Sequence, residues 1–101
     1  MMQGDSYALP LEIKSDGDAI TPDTLVNIEV AIGKIVKTMQ DGGVSYDGEN
    51  GVFLAHLSQA DTFALTGRET VQARLKFVSG DVRGVDFGEM FVDKSISKVV
   101  L

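Results

Sequence analysis

At 101 residues, with 44% hydrophobic and 24% charged positions, the chain has the size and composition of a single globular domain spanning 1-101. Fifteen acidic residues against nine basic ones give a net charge of -6, which opposes binding to nucleic-acid backbones, and the lack of cysteine removes disulfides, thiolate metal sites and cysteine nucleophiles. No window approaches the ~20 apolar residues of a membrane-spanning helix, and Met1 to Ser6 carry neither a basic region nor an apolar run, so the expectation is a soluble protein made and kept inside a cell, with no nucleic-acid and no membrane partner.

Tyr7, Leu9, Leu11 and Ile13 alternate with Ala8, Pro10, Glu12 and Lys14, the period of a strand with one face on a core. Pro10 cannot donate to a ladder, which places this strand at an edge or at a bulge. Ser15-Asp16-Gly17-Asp18 reads as a tight turn, and Thr21-Pro22-Asp23-Thr24 as a second punctuation. Val26, Ile28, Val30 and Ile32 then face one way with Asn27, Glu29 and Ala31 opposite, and Gly33-Lys34 turns the chain into a strand over 35-39. A helix over 23-39 is the rival reading, opposed by the β-branched density and by Gly33.

Asp41-Gly42-Gly43 and Asp47-Gly48-Glu49-Asn50-Gly51 bracket a short strand, Val44-Ser45-Tyr46, whose partner runs from Val52 to Leu57. Ser58-Gln59-Ala60-Asp61 has the form of a capping box with Asp in place of Glu, opening a short helix that ends before Gly67. A strand over 68-78 includes the strict alternation Val71-Gln72-Ala73-Arg74-Leu75-Lys76-Phe77. After the turn Ser79-Gly80-Asp81, a last strand runs from Val82 to about Val92, with Gly84 and Gly88 marking bends or bulges.

About seven strands and at most one short helix predict an all-β protein, an Ig-like antiparallel β-sandwich in preference to a small barrel. The Cys and Trp markers of antibody domains are missing, so "Ig-like" here means the architecture. The predicted core holds Leu11, Ile13, Ile28, Val30, Leu57, Phe63, Val71, Ala73, Leu75 and Phe77, with Phe63 and Phe77 expected to be the costliest to truncate. A chain of this size buries roughly two-thirds of its unfolded surface, which suits one thin core better than a core plus a deep pocket.

The patterns that could carry chemistry are weak. His56 is the only histidine and has no second ligand or nucleophile near it in the sequence. Ser95 and Lys98 are three apart, but in a terminal segment too exposed to depress a lysine pKa. Asp16 with Asp18, and the loop Asp47-Gly48-Glu49-Asn50, offer oxygen ligands without the spacing of a calcium loop. Glu12, Glu29, Glu69, Glu89 and Asp93 would serve glycoside hydrolysis only as a close pair in one cleft, and aromatic sugar platforms are few. Arg68, Arg74, Lys76 and Arg83 read as a solvated outer surface. The expectation is a protein that is not an enzyme, with no cofactor, catalytic or metal site. The closing run from Asp93 to Leu101 ends on three apolar residues, so it either joins the domain's own sheet or docks on a neighbouring chain through Ile96, Val99, Val100 and Leu101.

Gln3-Gly4-Asp5-Ser6-Tyr7-Ala8-Leu9-Pro10-Leu11, the Ile20-Thr21-Pro22 turn before Val26-Asn27-Ile28-Glu29-Val30-Ala31-Ile32-Gly33, Leu57-Ser58-Gln59-Ala60-Asp61-Thr62-Phe63, the alternating run 71-77, and Ser95-Ile96-Ser97-Lys98-Val99-Val100-Leu101 form an ordered set. In that order they resemble a family of small phage and prophage proteins of Gram-positive bacteria. The fold of that family is similar to the N-terminal sandwich domain of siphophage upper baseplate proteins. The resemblance implies a structural or assembly role in a phage tail or baseplate, with other tail or baseplate proteins, or further copies of the chain, as partners. It implies the bacterial host cytoplasm during assembly and the virion tail as locations, and brings no site residues. The linker helix and receptor-binding extension of baseplate proteins have no counterpart here, which argues against a direct role in host adsorption. The alternative is a small carbohydrate-binding sandwich that recognises cell-surface glycans through a sheet face.

Overall fold

A computed structural model describes residues 1-15 and 17-101. In chain order the elements are β1 (Tyr7–Leu11), β2 (Lys14–Ser15), β3 (Asp18–Ala19), a 3-10 turn at Pro22–Thr24, β4 (Leu25–Ile32), β5 (Ile35–Thr38), β6 (Val44–Asp47), β7 (Val52–Leu57), α1 (Gln59–Phe63), β8 (Gly67–Phe77) and β9 (Val82–Val92). The protein is therefore all-β, with seven strands of four residues or more and one short helix among the described residues. Two antiparallel sheets, β1-β7-β6 and β5-β4-β8-β9, face each other as a sandwich, and β2 with β3 forms a separate two-residue pair. The strand order keeps β4 beside both β5 and β8, whereas antibody constant domains put the second strand in the opposite sheet. "Ig-like" describes the two layers and not the connections. Among the described residues no helix is long and apolar enough to cross a membrane.

Short-range chemistry explains most of these elements. Pro10 lies in β1, which pairs only with β7, so its missing N–H falls on the edge strand predicted for it. Ser58 caps α1: its hydroxyl accepts the Asp61 N–H at 3.1 Å while the Asp61 carboxylate accepts the Ser58 N–H at 2.9 Å. Asp47 accepts the backbone N–H groups of Glu49 and Asn50, closing the loop between β6 and β7 upon itself. The first predicted turn includes Asp16, which lies outside the described residues, and with it the Asp16–Asp18 pair weighed for calcium.

Two details of register depart from expectation. Leu25 pairs with Phe77 and Asn27 with Lys76, so Val26 is the extra residue of a bulge and faces water instead of sharing the face of Ile28, Val30 and Ile32, and Leu25 is buried. In β9 the bulge falls at Gly88 alone, with φ +81°, because Thr70 pairs with Glu89 and Gln72 with Asp86. Gly84 stays in a regular ladder opposite Arg74.

The core lies between the facing sheets. Leu11, Ile13, Ile28, Val30, Leu57, Val71, Ala73 and Leu75 are all buried, joined by Phe53, Ile32, Val44, Leu65 and Val92. Phe53, the second residue of β7, is the largest fully buried side chain and packs on Tyr46 with ring centroids 5.0 Å apart. Phe63 and Phe77 are only half-buried. Phe63 closes α1 at the margin of the sandwich, and Phe77 ends β8 where its partner is the first residue of β4, with the Arg83 guanidinium 5.8 Å above its ring. The alternation that picked out Phe77 gives its face but not its distance from the end of the sheet.

The two long sides of the sandwich differ. Beside β5, Lys37 reaches across to Asp61 of α1 and closes the gap. Beside β1 and β9 the gap stays open as a groove of about 260 Å³ lined by Leu9, Pro10, Leu11, Val71, Phe87 and Met90, with Glu12 and Glu89 also on its walls.

Candidate functional site

The most developed polar arrangement joins the N-terminal segment, α1 and the segment after β9. Met2 pairs in parallel with Asp93, through Gln3 N–H to the Asp93 carbonyl and Asp93 N–H to the Met1 carbonyl, each 2.8 Å. This bridge brings Gln3 under the end of β9. Its side chain is buried and spans the junction: Nε2 donates to the Leu65 carbonyl at 2.7 Å, while Oε1 accepts the Ser95 N–H at 3.1 Å and the Lys98 ammonium. Lys98 also lies 6.0 Å above the Phe63 ring, a distance at which the π face attracts a cation.

Thr62 fixes the other half of the junction. Its fully buried hydroxyl accepts the Gly4 N–H at 2.8 Å, and its one proton is shared between the Asp5 carbonyl at 2.9 Å and the Gln59 carbonyl at 3.1 Å. Gly4 has φ +89°, and a Cβ there would stand 2.9 Å from Phe63 Cζ, so both the backbone and the approach of the ring require glycine. Every buried polar side-chain atom among the described residues is satisfied.

From this anchor the residues from Lys94 onward leave the body without joining either sheet, so the last-strand reading of 95-101 is not what the fold adopts. Ser95 and Lys98 are held by Gln3, while Ile96 and Leu101 are fully exposed and Val99 and Val100 remain 68% and 59% exposed. Beneath the segment runs a shallow groove of about 190 Å³, bounded by Gln3, Asp5, Gln59, Phe63, Val99 and Leu101 among others. The four apolar residues singled out for docking thus lie exposed on a segment anchored at Ser95 and Lys98. Nothing in the sequence marked Gln3 or Thr62 as part of that anchor, because each acts on partners 57 to 95 residues away.

The candidate chemical residues are dispersed. His56 does meet a hydroxyl, contrary to expectation: the β6–β7 pairing sets Ser45 Oγ 2.6 Å from His56 Nε2. Both are exposed on the outer face of their sheet, and the imidazole makes no other side-chain hydrogen bond among the described residues. A serine nucleophile also needs an oriented base and oxyanion donors. The carboxylates are engaged separately, Glu29 with Arg74 at 3.0 Å and Glu12 with Lys14 at 3.0 Å. Asp41 and Asp47 are held below the usual aspartate range, Asp41 chiefly by the Gly43 N–H and Asp47 chiefly by the Asn50 side-chain amide.

On the outer face of the larger sheet, Gly84 leaves a shallow depression of about 310 Å³ bordered by Gln72, Arg74 and Asp86. Arg74 and Lys76 lie on that face, as the alternation predicts, and Arg83 is turned instead toward Phe77. Compared with protein-family models, with curated proteins and with solved structures, the chain matches none of them.

Proposed function

We propose that this protein is a non-enzymatic structural component of a phage or prophage, associated with the tail or baseplate, and that it works through protein contacts. The observation that carries the reading is the presentation of Ile96, Val99, Val100 and Leu101 on a segment held by buried Gln3. A short run of exposed aliphatic side chains on an anchored segment is suited to burial against another protein. Several of the candidate carboxylates are used in holding the chain's own fold: Asp61 on the start of α1, Asp47 on its own loop, Glu29 on Arg74. The phage setting rests on the resemblance of the motif set 3-11, 20-33, 57-63, 71-77 and 95-101.

The test is to look for the polypeptide in purified particles of the source phage or induced prophage, by mass spectrometry and immunogold microscopy. Label at the tail tip supports the reading. Protein abundant in the lysate but missing from particles overturns the virion role.

A second reading, carbohydrate recognition, is favoured by the depression over Gly84, where an amide, a guanidinium and a carboxylate converge. Its weakness is chemical: Tyr46 is packed against Phe53, and the depression has no ring on its border for a sugar to stack on. Binding to purified cell-wall glycan that Arg74→Ala and Gln72→Ala abolish would establish it.

A further inference from the structure

We infer that the partner of the exposed segment is a second copy of this chain, and that its receptor is the open groove between β1 and β9. The inference rests on the protein-contact reading above and names the partner. Two complementarities support it. The first is apolar: Leu9, Leu11, Phe87 and Met90 line a groove of about 260 Å³, and the segment offers Ile96, Val99, Val100 and Leu101 exposed on the same molecule. The second is charge: Glu89 stands on a wall of the groove and Lys94 in the segment, whereas Glu12 beside it is paired with Lys14 and Lys98 is held by Gln3. Among the described residues neither Glu89 nor Lys94 is engaged in an ion pair.

The fold leaves this side, and not the other, able to accept a visitor. All four outer strands are sheet edges, but Lys37 and Asp61 close the β5 side, whereas the gap between the edge strands β1 and β9 is an open groove. An extended segment entering between them has main-chain partners on one edge and apolar contacts below, the mode of strand addition. Donor and receptor are different surfaces of one molecule, so two copies satisfy both by exchanging segments about a two-fold axis, or successive copies do so head-to-tail in a ring or filament.

Sedimentation velocity on the 101-residue protein across the micromolar range is the test. The expected result is concentration-dependent association, weakened by salt because the rim contacts are charged. Val100→Asp in the segment and, separately, Glu89→Lys in the groove are exposed changes that leave the fold intact, checked by circular dichroism. Each should weaken association by about tenfold or more, Val100→Asp by putting a charge into the apolar contact and Glu89→Lys by setting a like charge against Lys94. Mixing the two variants should restore a one-to-one complex and nothing larger, since each retains one working surface. A wild-type chain that stays monomeric, or variants that associate as wild type does, overturns the inference. Neither outcome touches the particle test, which alone decides the phage role.

Discussion

Lys37 Nζ lies 2.8 Å from Asp61 Oδ2, joining the edge strand of the four-stranded sheet to the helix that follows the central strand of the other. Both side chains are mostly shielded, and the same Asp61 carboxylate completes the capping box with Ser58. One carboxylate therefore serves both the start of α1 and the closure of one side of the sandwich.

That double use makes stability sensitive to acid. Burial tends to raise the Asp61 pKa, but the Lys37 ammonium and the Ser58 amide and hydroxyl outweigh it and hold the carboxyl below its ordinary value. A depressed folded-state pKa means that the unfolded chain takes up the proton first. The stabilisation is full above the unfolded-state value and is lost as pH falls below about 4 and through the folded-state pKa. Asp61→Asn should flatten this part of the pH profile, measured by urea unfolding at a series of pH values. Ser58→Ala should cost about 1 kcal/mol at neutral pH.

Phe53 is the aromatic residue whose truncation should be costliest. It is fully buried between the sheets, so Phe53→Ala should lose about 3 to 5 kcal/mol, a large share of a total of about 5 to 15. Phe63→Ala and Phe77→Ala should lose less, since both side chains are only partly buried. Urea midpoints at unchanged slope rank the three; a Phe77 loss equal to that of Phe53 would contradict the burial described.

Thr62→Val keeps the shape and removes the hydroxyl. The Gly4 N–H and the Asp5 carbonyl then lose their partner, at a cost of about 1 to 3 kcal/mol. Thr62→Ser restores the oxygen and should recover most of it. Hydrogen exchange at the Gly4 amide reports the same bond directly: fast in the valine variant, slow in the serine one.

Gln3→Leu should release the exposed segment while leaving the sheets in place. The Ser95 amide loses its acceptor, so its exchange should rise toward that of an unstructured chain, with 94-101 following. A Ser95 amide still protected in this variant would mean that the segment is held from another point.

The two glycines of β9 should respond oppositely to alanine. Gly88 sits at φ +81° in a bulge, where a Cβ costs about 1 to 2 kcal/mol. Gly84 lies in a regular ladder with its nearest neighbour, the Ala73 carbonyl oxygen, 4.0 Å from an added Cβ. Gly84→Ala should be neutral or should stabilise by about 0.4 to 1 kcal/mol through the unfolded chain. Thermal midpoints of the two variants decide this.

Most of the fold was legible in local patterns. Alternation from Val71 to Phe77 assigned the inner and outer faces of β8, Pro10 marked an edge, and Ser58 with Asp61 marked the start of α1, because each depends on residues within a few positions. The sequence by itself determined a two-layer β protein with no thiol chemistry, a net negative charge and an apolar closing segment. Only the tertiary structure decided that Phe53 and not Phe77 forms the centre of the core, that Val26 is turned out by a bulge, and that Ser45 meets His56. It also decided that Gln3 and Thr62 carry the junction beneath the exposed segment. The reason is distance along the chain: depth in a sandwich and long-range hydrogen bonds are set by which strands become neighbours, and strand pairing over tens of residues leaves no mark in the local period of the side chains.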